Sequence, residues 1–243
     1  MDTIKYQLNA RRQPYGQGAD LILLNESVGN EVLAFHQKFP DYRVTPLRKL
    51  EFLSQRLGLG SIHIKDEAQR FGLNAFKGLG GSYAMGKYLA ALLERDINTL
   101  SFAELNSPVI KARIKDIVFV TATDGNHGRG VAWAAEQLGL RAVVYMPKGS
   151  SPVRAQNIRR HGAECTITEL NYDDTVRLAA KTAREQGWVL LQDTAWQGYE
   201  QIPTWIMQGY MTLAVEIWQQ LAESGAPMPT HLFLQAGVGS FAG

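Results

Sequence analysis

Hydrophobic and polar positions recur along this chain with two different periods. Short runs of aliphatic and β-branched residues predict strands, and longer stretches with apolar residues every three or four positions predict helices. Asn25-Glu26-Ser27 starts a helix that carries Val32, Leu33 and Phe35 and is ended by Pro40. Thr45 reads as the N-cap of a second helix with Pro46 in its first turn. Leu50, Leu53 and Leu57, with Phe52 beside them, give that helix an apolar stripe, and Gly58 ends it. Ser61-Ile62-His63-Ile64-Lys65 alternates with period two, as a strand does. His63 falls on its wetter face. A helix follows from 82 to about 95. Before residue 25 only Leu21 to Leu24 form an apolar run, and no element is assigned there.

From residue 117 the pattern becomes regular. Strands are predicted at 117–121, 142–146, 165–168, 188–192 and 231–235. Helices are predicted at 126–138, 152–161, 172–186 and 204–224, the second with its arginines on a solvated face. The run Ile117-Val118-Phe119-Val120-Thr121 is apolar without alternation, which marks a strand covered on both faces. Strands alternating with helices mean βαβ units, a parallel sheet and the α/β class. Neither an internal repeat nor a low-complexity segment interrupts this order.

Composition narrows the function classes. The chain has 243 residues, 45% hydrophobic and 20% charged, enough for one large or two small globular domains. A formal net charge of +2 gives no basis for a nucleic-acid or membrane surface. The single cysteine, Cys165, lies in a strand-like run; it excludes an internal disulfide and fits a reducing compartment. The N-terminal residues lack the apolar core of a secretory signal, and no apolar run is long enough to span a bilayer. A cytoplasmic location is the default expectation.

Candidate chemistry begins at Asn74-Ala75-Phe76-Lys77-Gly78-Leu79-Gly80-Gly81-Ser82-Tyr83. The glycines are expected to let the backbone take positive φ and to leave amide groups at the next helix start open to an anion. A lysine desolvated there can attack a carbonyl to form a Schiff base. In open parallel sheets ligands bind beyond the carboxyl ends of the strands. Three stretches fall there: Thr121 to Gly128 with Asp124, Gln192-Asp193-Thr194-Ala195-Trp196, and Gly237 to Gly243. Each aspartate is also well suited to a cap or turn. Gly237 to Ala242 matches Gly-x-Gly-x-x-Ala, which keeps an NAD-dependent oxidoreductase open as an alternative. A Gly-Gly-Ser hydrolase elbow and a non-catalytic binding module are weaker rivals: the first lacks its second glycine, and the second gives no reason for a lysine and two strand-end carboxylates. Histidines and cysteine show no zinc-ligand spacing.

Thr45-Pro46-Leu47, Ile62-His63-Ile64-Lys65-Asp66-Glu67, Ala75-Phe76-Lys77, Asp124-Gly125-Asn126-His127-Gly128 and the final glycine loop together resemble the fold type II, tryptophan synthase β-like, pyridoxal-phosphate enzymes. The match runs from Thr45 to Gly243 and is nearest to the ammonia-lyases of 2,3-diaminopropionate. The resemblance implies two open, mostly parallel twisted sheets with helices on both faces. Residues 1–86 would begin the large cofactor domain, 87–200 would form a small α/β domain, and 201–243 would return to the large domain. It implies pyridoxal 5′-phosphate on Lys77 as a Schiff base, Asn126 on its phenolic oxygen, and Gly237, Gly239 and Ser240 on its phosphate. Asp124 stands where serine and threonine dehydratases have a small residue, which points from hydroxyl loss to ammonia loss; a dehydratase-like lyase is the alternative within the family. The implied reaction is α,β-elimination of D- and L-diaminopropionate to pyruvate and two ammonia, with Asp124 and Asp193 as the two Cα bases and Lys77 a rival for one face. A small amino-acid substrate and a homodimer are the implied partners. Family members continue well past the phosphate loop, so the large domain is expected to be incomplete here, without its contact to the pyridine nitrogen and with doubtful activity alone.

Overall fold

The computed structural model describes residues 21–242 together with Ala10. Its centre is a four-stranded parallel sheet in the order β5-β4-β3-β6, made of β3 (Val118–Ala122), β4 (Arg141–Met146), β5 (Glu164–Ile167) and β6 (Val189–Leu190). The apolar runs form this sheet because both of its faces are covered. Phe119, Ala142, Val144 and Met146 on one face join the main core with α6 (Asn126–Leu138). Val118, Val120, Ala122 and Val143 on the other face pack with Ala179 and Ala183 of α8 (Tyr172–Gln186). The α/β class with helices on both faces is therefore present. The second mostly parallel sheet is not: the other sheet among the described residues is an antiparallel pair, β1 (Leu47–Lys49) with β2 (His63–Lys65).

The helices on the main-core side are α1 (Glu26–Gln37), α3 (Lys77–Leu92) and α9 (Gln201–Glu223). Asn25 caps α1 as expected, its side chain accepting from Val28 N at 3.0 Å. Two readings near residue 45 are corrected. Thr45 caps no helix; Leu47–Lys49 pairs as a strand, and α2 (Glu51–Leu57) begins later. The apolar stripe of α2 is left in solvent, with Phe52 75% exposed, and Leu50 lies outside the helix. Gly58 does end α2, in the left-handed conformation at φ +65°. The helix expected from 82 begins five residues earlier, at Lys77. Residues 231–235 form no strand: Leu232 and Phe233 are exposed, and no neighbouring ladder pairs with them. Two short helices escaped the periodicity, α4 (Phe102–Leu105) and α5 (Pro108–Ile114). Their signals are local: Ser101 and Glu104 form a capping box, and Ser107 caps α5 ahead of Pro108. The arginines of α7 (Pro152–Arg159) are not simply a solvated face, since Arg154 donates to the Asp124 carbonyl and Arg159 to that of Cys165.

Two buried polar clusters fasten this arrangement. Glu216 of α9 accepts from both terminal nitrogens of Arg70 (2.9 and 2.7 Å) and from Tyr42 (2.7 Å), and pairs with Lys65 at 2.6 Å. Arg70 also holds Glu67, and Thr45 bridges the two carboxylates. Burial works against ionisation of Glu216, but Arg70, then Lys65 and Tyr42, hold its carboxyl below the usual range. In the second cluster the fully buried His36 donates from Nε2 to the Leu79 carbonyl at 3.0 Å and accepts at Nδ1 from Thr212 at 2.7 Å. That joins α1, α3 and α9 through one neutral ring.

Burial pushes the His36 pKa down to about 3, the Leu79 carbonyl opposing it. A histidine whose folded pKa is depressed gives stability above its unfolded pKa, near 6.5, and loses it as pH falls. Folding stability should decline by about 1.4 kcal/mol per pH unit between pH 6 and 4 from this ring alone. Urea unfolding across that range should show a shallower slope for His36→Gln; an unchanged slope would remove His36 as the cause.

Candidate active site

The first turn of α3 explains where Lys77 sits. Gly78, Gly80 and Gly81 are helical and buried, not a positive-φ loop. Their function is close approach. A methyl carbon on Gly80 would lie 2.7 Å from the Tyr210 ring, and one on Gly209 of α9 would lie 2.6 Å from the Leu79 carbonyl oxygen. On the other side, a methyl carbon on Gly130 of α6 would lie 2.8 Å from the Lys77 carbonyl. Only missing side chains let three helices meet this closely. Lys77 thus starts a helix wedged between α6 and α9. Just upstream, Phe71 takes φ +51° and stacks on Trp133 of α6 at 4.2 Å between centroids.

The Lys77 side chain is 18% exposed and its Nζ lies 2.9 Å from Asp193 Oδ2. The rings of Phe76 and Tyr210 flank the amine at 5.7 and 5.4 Å. Asp193 is reached through β6, which pairs in parallel with β3. Gln192 fixes that junction, its Oε1 accepting from Ala122 N at 2.9 Å and from Thr121 at 3.1 Å. Burial opposes ionisation of Asp193, yet the Lys77 ammonium at 2.9 Å holds its carboxyl below the usual range.

Asp124 and Asp193 stand beyond the carboxyl ends of neighbouring strands, as expected, but in unlike surroundings. Asp193 is buried and Asp124 is exposed. Thr123, not Asp124, satisfies the start of α6, its Oγ1 accepting from Gly125 and Gly128 N. Asn126, the first residue of α6, is exposed. The loop from 237 is brought to the lysine by Phe241, whose ring lies 4.3 Å from Phe76 and 5.9 Å from Tyr210. Gly237 is exposed and Gly239 takes φ +100°. Ser240 is buried, with the Tyr210 side chain interacting with its hydroxyl. The loop follows extended coil rather than a strand, so the strand–turn context of a dinucleotide fingerprint is absent. No cluster of metal-ligating side chains occurs among the described residues.

These groups fit a phosphorylated carbonyl cofactor. They combine an amine, the positive end of a 16-residue helix and a glycine loop with a buried serine hydroxyl. The match of residues 38–243 to the model of the pyridoxal-phosphate-dependent enzymes decides the family. The chain belongs to it. Diaminopropionate ammonia-lyase of Salmonella typhimurium is 76% identical over 242 residues, covering 100% of this chain and 60% of that protein. Diaminopropionate ammonia-lyase of Escherichia coli K12 is 49% identical, with the same coverage. The crystal structure of the E. coli lyase in complex with an aminoacrylate-PLP azomethine reaction intermediate superposes with a TM-score of 0.84 at 52% identity, covering 91% of this chain and 55% of that one. The chain spans about 60% of the length of the relatives it matches. Within this pyridoxal-phosphate family the fold expectation, α/β of type II, holds.

Two residues of the site were not picked out from the sequence. His127 lies inside a quoted motif, but a lone histidine carries no signal of its own. Tyr210 falls in the apolar stripe of a long helix, where it looks like any core aromatic.

Because Gly130 touches the Lys77 backbone, Gly130→Ala should act on the site as well as on stability. Overpacking of this kind costs about 1–3 kcal/mol. Thermal melting should show that loss, and borohydride trapping of pyridoxal phosphate on Lys77 should fall with it. Normal trapping in a destabilised variant would mean that Lys77 is placed independently of α6.

Proposed function

We propose that this chain carries the cofactor-holding and proton-transfer residues of an ammonia-lyase acting on 2,3-diaminopropionate. The observation that carries the reading is the Lys77–Asp193 pair at the mouth of the parallel sheet. It stands in a chain whose whole length aligns with diaminopropionate ammonia-lyases. The products would be pyruvate and two ammonia, from either isomer.

Bound pyridoxal phosphate supplies an electron sink that makes the Cα proton of an amino acid removable. Lys77 is the amine that would hold its carbonyl. Asn126 would bond its phenolic oxygen, and Gly237, Gly239 and Ser240 its phosphate. The rings of Phe76 and Tyr210 flank the Lys77 amine and limit where it can move. The two isomers present the Cα proton on opposite faces, so one base cannot serve both well. Asp124 and Asp193, on neighbouring strand ends, can divide that work, with the Lys77 amine a rival for one face. We assign Asp124 to the D isomer and Asp193 to the L isomer. A carboxylate near the second, cationic amine of the substrate would also select for it. In the same reading residues 1–86 and 201–243 belong to the large cofactor domain and 87–200, which contain the four-stranded sheet, to the small one. The working enzyme is a cytoplasmic homodimer; no helix among the described residues is long and apolar enough to cross a membrane.

Three substitutions test this in the cofactor-loaded protein. Lys77→Ala should abolish pyruvate formation and leave no peptide-linked cofactor after borohydride reduction; a linked cofactor at another lysine would refute the assignment. Asp124→Asn and Asp193→Asn should each lose about 10²–10⁴-fold in kcat/KM, the first mainly on D-diaminopropionate and the second mainly on L. Equal losses on both isomers would mean that the aspartates serve binding or architecture.

A further inference from the structure

Beside the Lys77–Asp193 pair lies a histidine with an unmet bonding requirement. His127 is 4% exposed, on the first turn of α6, and its Nε2 is 2.8 Å from the Leu191 carbonyl oxygen. A carbonyl oxygen only accepts, so Nε2 carries a hydrogen. In the neutral ring Nδ1 is then a bare acceptor. It is buried, has no hydrogen-bond partner, and lies 3.7 Å from Asp193 Oδ2. Two bare acceptors cannot bond each other, and 3.7 Å is beyond hydrogen-bond range. Asp193 meanwhile receives Lys77 on Oδ2 and Gln192 on Oδ1.

A buried acceptor left unpaired is rare. Here the lack is repaired by a single event. If Asp193 gains a proton, its O–H becomes a donor, and Nδ1 accepts from it once the two close from 3.7 Å to bonding distance. The site is therefore better bonded with Asp193 protonated than with it ionised. Favouring a state that forms only during the reaction is how binding energy accelerates it.

We propose that His127 is a positioning residue for Asp193, pinned by Leu191 so that its Nδ1 accepts a hydrogen bond from the Asp193 carboxyl once that group has taken the substrate's Cα proton. The inference rests on the assignment of Asp193 as a base. The proton moves from Cα to Oδ2, the C–H electron pair stays with the substrate, and the new O–H donates to Nδ1. No other reactant is needed. The charged and titratable groups around His127 are Asp193, Lys77 and Asp124. Tyr172, Tyr199 and Tyr210 are close enough to feel the Asp193 charge. Burial keeps the ring neutral at neutral pH, with Lys77 on the same side of the balance and Asp193 opposing.

The test has two arms in the cofactor-loaded protein. Nitrogen-15 NMR of the five histidines should show His127 as the neutral Nε2–H tautomer at pH 7. An imidazolium or an Nδ1–H tautomer there would overturn the proposal. His127→Gln can keep an N–H to Leu191 but has nothing at the Nδ1 position, whereas His127→Asn places an amide oxygen there. His127→Gln should lower kcat by about 10- to 100-fold on the isomer served by Asp193, with KM little changed and the other isomer spared. His127→Asn should recover part of the loss. Equal loss on both isomers, or none, would overturn the proposal. Asp193→Asn impaired with His127→Gln unimpaired would refute this inference alone; Asp193→Asn at wild-type rate on both isomers would sink the base assignment and this inference with it.

Discussion

The wedge of α3 between α6 and α9 is the constraint on which the site depends. Gly80 and Gly209 close one side of it, and Gly130 facing the Lys77 carbonyl closes the other. A helix start normally floats on its cap, and α3 has no side-chain cap at all. Its position comes instead from backbone-to-backbone contact with two neighbours. Glycine is costly inside a helix, by roughly 1 kcal/mol relative to alanine. Three of them in one turn therefore show that packing, not propensity, decides this segment. The result is a lysine whose backbone has almost no freedom and whose side chain reaches a carboxylate from a different layer.

That carboxylate depends on a second constraint, the register of β6 on β3. β6 is only two residues long, too short to hold a loop by its own ladder. Gln192 extends the pairing by bonding Ala122 N and Thr121 through its side chain, and Tyr199 ties in the same junction by accepting from Gln192 N at 2.8 Å. Far from the sheet mouth, the Arg70–Glu216 cluster anchors α9 to the segment leading into α3. Removing one partner of such a buried pair typically costs about 3–5 kcal/mol, because the other charge is left uncompensated.

Much of this was legible in the residues. Helices 126–138 and 172–186 have the bounds expected from their periodicity, each followed by a left-handed glycine, Gly139 or Gly187. The two inner strands, β4 and β3, are marked by their unbroken apolar runs. The failures have physical causes. The glycines after Lys77 were read as turn formers because glycine has two uses, positive φ and close approach, and one sequence cannot separate them. Thr45 looked like a cap because threonine before proline often is one, but its hydroxyl is claimed by Glu67 and Glu216, the latter 171 positions away. Residues 231–235 had strand composition but no partner strand, and a strand exists only with its neighbour. Ser240 and Asp193 could be named from motif and strand-end position. The convergence of both on Lys77 depended on Phe241 and Gln192, whose contacts no local pattern encodes.

The unlike surroundings of the two aspartates bear on how one site could treat both isomers. Asp193 is buried, paired with a cation and bonded by Gln192, so its charge is strong but its proton affinity is held down. Asp124 is exposed, and water screens whatever charge approaches it. In the fold as it stands the two carboxylates are not equivalent. An exposed carboxylate becomes effective only when water is excluded around it, since a low local dielectric is what gives a positioned charge its strength. The Asp124 carbonyl accepts from Arg154 of α7, which ties its loop to a helix on the parallel sheet, whereas the Asp193 carboxylate is tied to Lys77 at the start of α3.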